Sequence, residues 1–128
     1  MGRAATSPTV LIVEDETLIS HLVADWLNER GFSVHEAATG DEALHYIDRG
    51  GPVDVMFTDV NLPGSINGAE LAERVRAKRP ELPIVYSSGR VTSDQIAPLV
   101  PRSVFVPKPY DPADVCSLLE RLTGGVRH

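Results

Sequence analysis

At 128 residues, with 42% hydrophobic and 23% charged side chains, the chain has the size and composition of one globular domain, which excludes wholesale disorder. Its formal charge of −6 disfavours nucleic acid or an anionic membrane surface as the main partner, and no apolar run approaches the ~20 residues of a membrane span. A single cysteine, Cys116, excludes an internal disulfide or a multi-cysteine metal site and fits a reducing, cytoplasmic setting.

Residues 1–7 contain no apolar signal core and read as a disordered leader before a domain over residues 8–123, with 124–128 as a short tail. Residues 9–13 are a continuous apolar run rich in β-branched side chains, the pattern of a strand buried on both faces. Ile19, Leu22, Val23, Trp26 and Leu27 then recur at helical spacing, with Gly31 as the C-terminal cap. Residues 32–36 alternate apolar and polar, which suits an edge strand. Thr39 and Glu42 have capping-box spacing and open a helix through Ala43, Leu44 and Ile47 that stops at Gly50-Gly51. Residues 53–58 form a further buried strand. Asn67 and Glu70 cap a helix carrying Leu71, Ala72 and Val75, which Pro80 ends. Residues 82–86 are the fourth strand, with Pro83 tolerated at its start, and residues 104–106 are a short fifth strand at an edge. Asp111 and Pro112 take the N-cap and first position of a last helix carrying Val115, Leu118, Leu119 and Leu122, with Gly124 past its end.

Strands alternating with helices predict an α/β fold with a parallel sheet covered on both faces. Between strands four and five, Pro98 falls inside any helix that Ser93 could cap and removes a backbone bond, so a shortened or irregular fourth helix is expected there.

Open parallel sheets bind ligands outside the carboxyl ends of their strands. The residues at those ends are Glu14, Asp15 and Glu16 after strand one, Asp59 and Asn61 at strand three, Ser87, Ser88 and Gly89 after strand four, and Lys108-Pro109 after strand five. Singly each is unremarkable: acidic residues complement a helix start, and an aspartate precedes many turns. Together they share one rim. In the flavodoxin-like doubly wound order 2-1-3-4-5, strands one and three are neighbours about 4.8 Å apart, so Asp15 and Asp59 can share a cation. Ser88 approaches from the adjoining strand, whereas strand five lies about 10 Å away and needs a side chain as long as Lys108. Crowded carboxylates raise a pKa unless they are neutralised. An all-oxygen site suits Mg²⁺, or Mn²⁺ in its place, and disfavours zinc. Carboxylate, hard cation, hydroxyl and lysine are the set that phosphoryl transfer requires.

Residues 10–16 (Val-Leu-Ile-Val-Glu-Asp-Glu), 58–64 (Thr-Asp-Val-Asn-Leu-Pro-Gly), 87–89 (Ser-Ser-Gly) and 105–109 (Phe-Val-Pro-Lys-Pro) resemble the receiver domain of bacterial two-component response regulators, over about residues 8–123. The resemblance implies that Asp59 accepts a phosphoryl group from a histidine kinase or histidine phosphotransfer protein. It implies that Asp15 holds Mg²⁺ directly, Glu14 through water and Asn61 by its backbone carbonyl. Ser88 would bind the phosphoryl group with Lys108 as its cationic partner, Phe105 would be the aromatic switch residue, and the bond to Pro109 would be cis. Two departures stand out: the loop over residues 61–68 is one residue longer than the commonest pattern, and Pro98 alters the usual output face.

The expected function is a stand-alone receiver domain that signals by phosphorylation-dependent binding of a downstream protein not identified by the sequence, with only slow self-dephosphorylation rather than enzymatic turnover. Alternatives on the same fold are a phosphorylation-independent interaction module and a Mg²⁺-dependent aspartyl phosphatase, the latter disfavoured because Asn61 stands where its acid/base residue would be. His21, His35, His45 and His128 share no rim with the carboxylates. Arg74, Arg76, Lys78 and Arg79 complement a helix dipole, and Cys116 is a packed thiol.

Overall fold

The computed structural model describes residues 7–89 and 100–124. Strands β1 (Thr9–Val13), β2 (Ser33–Ala37), β3 (Val55–Asp59), β4 (Ile84–Ser88) and β5 (Ser103–Pro107) form one parallel sheet in the order 2-1-3-4-5. This is the flavodoxin-like doubly wound arrangement. Helices α1 (Thr17–Glu29) and α4 (Pro112–Thr123) cover one face, and α2 (Gly40–Asp48) and α3 (Gly68–Lys78) cover the other. The expected short fourth helix around Pro98 falls outside the described residues, as do most of the leader and tail.

The central strands are buried on both faces, so alternate residues feed two cores. Leu11, Val13, Met56, Ile84 and Tyr86 pack toward α2 and α3. Val10, Ile12, Val55, Phe57 and Val85 pack toward α1 and α4. The edge strands β2 and β5 are less buried because each has a sheet neighbour on one side only, and β5, at Ser103–Pro107, is as long as the other strands rather than the short 104–106 segment expected.

The helix starts follow the capping chemistry. Thr39 Oγ1 accepts from the Glu42 N–H at 3.1 Å, and Glu42 Oε2 reaches back to the Ala38 N–H at 3.2 Å. Asn67 Oδ1 accepts from the Glu70 N–H, and Asp111 Oδ1 from the Ala113 N–H, each at 2.9 Å. Caps of this kind are each worth about 1 kcal/mol.

Two expectations need correction. On α1 the buried residues are Ser20, Val23, Ala24 and Leu27, whereas Leu22 and Trp26 are exposed along with Leu18. The β4 ladder starts at Ile84 and runs to Ser88, two residues later than the apolar pattern suggests. Pro83 has no N–H to contribute; it precedes the strand and offers its carbonyl to the Met56 N–H at 3.0 Å. The shift brings Ser87 and Ser88 into the strand.

The basic run on α3 does more than complement a dipole. Arg76 donates to the carbonyls of Leu82 (2.6 Å), Pro101 (2.6 Å) and Arg102 (2.9 Å), and Arg79 donates to the Gly51 carbonyl at 3.1 Å. The Tyr86 hydroxyl accepts from the Val100 N–H at 3.3 Å. The Arg76 and Tyr86 bonds hold the chain where it enters β5, and the Arg79 bond ties the end of α3 to the loop before β3.

Candidate functional site

The fold brings five of the expected residues, Glu14, Asp15, Asp59, Asn61 and Lys108, together at the carboxyl rim. Asp59 is the last residue of β3, and Glu14 follows β1 with its N–H on the Ala37 carbonyl at 3.0 Å. Lys108 extends from the end of β5 across β4. Its Nζ donates to Glu14 Oε1 at 2.9 Å and Asp59 Oδ2 at 3.1 Å. The second oxygen of each carboxylate is also engaged: Asp59 Oδ1 accepts from the Asn61 N–H and Glu14 Oε2 from the Glu16 N–H, both at 3.1 Å. Asp15 is exposed beside them. Glu14, Asp15 and Asp59 each offer an oxygen within 4.8 Å of the others.

This donor set consists of hard oxygens alone, two of its carboxylates buried and one open to the cleft. It fits a small divalent cation that keeps part of its water, and it does not fit a thiophilic metal. The cleft has a volume of about 620 Å³, and its wall includes Asp15, Asp59, Asn61, Asn67, Gly89 and Lys108.

Burial pushes the Glu14 carboxyl above its ordinary value; the Lys108 ammonium and Glu16 N–H only partly offset this, and the Asp59 charge adds to it. Burial also works against the Lys108 charge, but hydrogen bonds to Glu14 and Asp59 outweigh it and hold this ammonium above the usual lysine value. Lys108 is therefore a fixed cation across the physiological range.

Tyr110 packs edge-on against Phe57 with ring centroids 5.6 Å apart. Burial, reinforced by the Glu14 charge, pushes its phenol up to about 12. An unfolded phenol ionises near pH 10. Between those values the folded protein keeps a proton that the unfolded chain has lost, so stability present below pH 10 declines as pH rises through the window. Lys108, raised in the same sense, steepens the decline. Tyr110→Phe is expected to make the fall in stability between pH 10 and 12 shallower by up to one proton, read from urea unfolding at several pH values. Superimposable pH profiles for the two proteins would remove Tyr110 from this account.

The Ser88 hydroxyl is buried and accepts from Asn61 Nδ2 at 3.0 Å, so Asn61, expected to contribute only its backbone carbonyl, also has its side chain on Ser88. Phe105 is partly buried against the α2/α3 core and stands apart from the cleft wall. The Lys108–Pro109 peptide is cis. Of the histidines, His21 pairs with Glu36 at 2.7 Å and His35 stacks on Tyr46 at 3.9 Å; His128 lies outside the described residues. Cys116 is buried. Ser87, which had no assigned role, is also buried at this rim.

Comparison with known proteins places this geometry. The model of the response regulator receiver domain matches residues 10–120. The sensor kinase CckA of Brucella abortus is 37% identical over 108 residues, a match covering 81% of this chain and 11% of that protein. The nitrogen assimilation regulatory protein NtrX of Azorhizobium caulinodans is 34% identical over 115 residues, covering 88% of this chain and 25% of NtrX. The chain thus spans a quarter or less of these two curated relatives. A crystal structure of a response regulator receiver protein from Sinorhizobium medicae superposes with a TM-score of 0.86 at 26% identity, covering 92% of this chain and 95% of that one.

Proposed function

Because this chain belongs to the response regulator receiver family, we propose that its Asp59 accepts a phosphoryl group from the phosphohistidine of a histidine kinase or histidine phosphotransfer protein. Receiver domains are signalling domains of two-component systems that interact with such proteins and bind Mg²⁺ at an acidic pocket. The observation that carries the proposal is the setting of Asp59. It is a buried carboxylate at a strand end, held by a backbone N–H on one oxygen and an ammonium on the other, with two further carboxylates alongside.

In the proposed step one Asp59 oxygen attacks phosphorus in line. The P–O bond forms as the P–N bond breaks, and the imidazole leaves with the bonding pair. The Asn61 N–H orients the nucleophile, while Lys108 stays protonated and meets the charge carried by the phosphoryl oxygens. Glu14, Asp15, Asp59 and the Asn61 carbonyl would hold Mg²⁺, or Mn²⁺ in its place, which supplies further neutralisation of that charge. Ser88 and Phe105 would carry the altered state to a downstream protein. A few kcal/mol of differential interaction suffices to shift such a two-state equilibrium. Asn61 has no titratable proton, which counts against a phosphatase that needs an acid/base residue at this position. Among the described residues no helix is long and apolar enough to cross a membrane. That fits the proposed cytoplasmic setting.

The test is incubation with acetyl phosphate and Mg²⁺ followed by intact mass. The wild type is expected to gain one phosphoryl group, and Asp59→Ala or EDTA to abolish the gain. An adduct that survives Asp59→Ala, or sustained turnover of a small phosphate ester, would overturn the assignment.

A further inference from the structure

Among the described residues, one buried side-chain polar atom has no hydrogen-bond partner: the hydroxyl of Ser87, on a residue only 2% exposed. An orphaned buried hydroxyl disfavours the state that contains it, and alanine or valine would avoid the penalty. Such a group calls for a physical reason, and its place in the sheet supplies one.

Val85 packs into the core beneath α1 and α4, so Ser87, two residues on, presents to the same face. Asp59 lies two residues after Phe57 of that same core and shares the face. The parallel ladder pairs Asp59 directly with Ser87, so their Cα atoms are neighbours at about 4.8 Å. On the other side Ser87 pairs with Val106, two residues before Lys108. The Lys108 stem passes beside Gly89, the residue after β4, where an added Cβ would lie 3.4 Å from Lys108 Cβ. Ser87 therefore sits beneath the Lys108–Asp59 ion pair on its own face of the sheet. Ser88, the next residue, belongs to the opposite face and is already held by Asn61.

We propose that Ser87 is a second hydroxyl of the phosphorylated site, a positioning residue whose O–H donates to the Asp59 carboxyl oxygen that the Lys108 ammonium gives up. This rests on Asp59 being the phosphoacceptor. Esterifying Asp59 moves negative charge from the carboxylate to phosphoryl oxygens farther out in the cleft. Lys108, a point charge on a flexible stem, follows that charge. The carboxyl oxygen left behind would be buried without a donor. Ser87 has an uncommitted O–H on the adjoining strand. Transferring it exchanges two orphaned groups for one hydrogen bond and biases the equilibrium toward the phosphorylated state.

The experiment is thermal and urea unfolding of the full chain in Mg²⁺, with and without beryllofluoride as a phosphoryl mimic, for the wild type, Ser87→Ala, Ser87→Cys and Ser87→Thr. Without the mimic, Ser87→Ala is expected to be at least as stable as the wild type. Its beryllofluoride affinity is expected to fall about fivefold, and the gain in Tm on loading to shrink accordingly. Ser87→Cys, similar in size but a weak donor, should follow Ser87→Ala, whereas Ser87→Thr should retain wild-type affinity. A purely structural role would shift loaded and unloaded proteins equally, and that result overturns the proposal. If the wild type neither binds beryllofluoride nor gains an acetyl phosphate adduct, the phosphoacceptor reading itself fails; if it does both and Ser87→Ala matches it, only the role of Ser87 fails.

Discussion

Lys108→Ala is expected to destabilise the cation-free protein by roughly 2–3 kcal/mol and to make its stability far more dependent on Mg²⁺. The ammonium bridges Glu14 and Asp59, two carboxylates that are both under 10% exposed, with Asp15 close by. Removing one partner of a buried pair leaves the other charges without compensation, which costs more than the intact pair contributes. The Glu14 carboxyl, already raised by burial, would lose the ammonium that partly offsets it and rise further, so the loss is expected to be greatest near pH 7 and to diminish as pH falls. A divalent cation supplies the missing charge, so the Mg²⁺-induced gain in stability should exceed that of the wild type. Lys108→Met retains much of the stem packing and separates loss of charge from loss of volume. Urea unfolding with and without Mg²⁺ reads both effects. If Lys108→Met were as stable as the wild type without Mg²⁺, the ammonium would not be the neutralising element described above.

Most of the fold was legible because its strongest signals are local. Strands buried on both faces read as apolar runs, and Thr39, Asn67 and Asp111 mark helix starts through side-chain bonds to the very N–H groups that a helix leaves open. The failures have equally specific causes. Helix α1 carries two adjacent apolar stripes, Ile19-Val23-Leu27 and Leu18-Leu22-Trp26, and periodicity cannot say which one meets the sheet. The burial of the small Ser20 and Ala24 shows which side approaches β1 and β2, where Ser20 also donates to Glu36 at 2.6 Å. At β4 the apolar pattern starts with Leu82, but a ladder needs N–H groups, and Pro83 delays it to Ile84.

That delay decided how much of the site was legible. Asp59, Asp15, Glu14 and Lys108 could be grouped from the sequence because parallel strands end on a common rim and side-chain length can be matched to strand separation. A strand ending at Tyr86 makes Ser87 a turn residue, exposed and unremarkable. In the sheet it is buried beside Asp59. The bond from Asn61 Nδ2 to Ser88 was equally hidden, since it depends on a rotamer chosen within a loop. Glu14 and Asp15 part at the end of β1: the Glu14 N–H continues the ladder to the Ala37 carbonyl and its side chain is buried, whereas Asp15 is exposed.

Gly68→Ala is expected to damage both the fold and the site, by roughly 3 kcal/mol or more in stability. Gly68 opens α3 and donates its N–H to the Val60 carbonyl at 2.8 Å, which draws the helix start against the end of β3. A methyl group there would lie 2.1 Å from the Asp59 carbonyl oxygen, 2.8 Å from Val60 Cα and 2.9 Å from the Asp59 carbonyl carbon. All three are backbone atoms, so no rotamer change relieves the overlap. Either α3 or the Asp59–Val60 peptide must move. Movement of that peptide takes the carboxylate off Lys108 and Asn61, and a displacement near 1 Å at a reacting group costs about 100-fold in rate. Gly40→Ala provides a graded comparison, because its closest contacts at 2.6 and 2.9 Å are Ile66 side-chain atoms that can rotate away. Gly50→Ala meets nothing within 4 Å, and its φ of +82° limits the expected loss to about 1–2 kcal/mol. The predicted order of urea midpoints is Gly50→Ala above Gly68→Ala, with slow acetyl phosphate labelling confined to Gly68→Ala. A Gly68→Ala protein that unfolds with the wild type and is labelled at its rate would show that Asp59 does not depend on the close approach of α3.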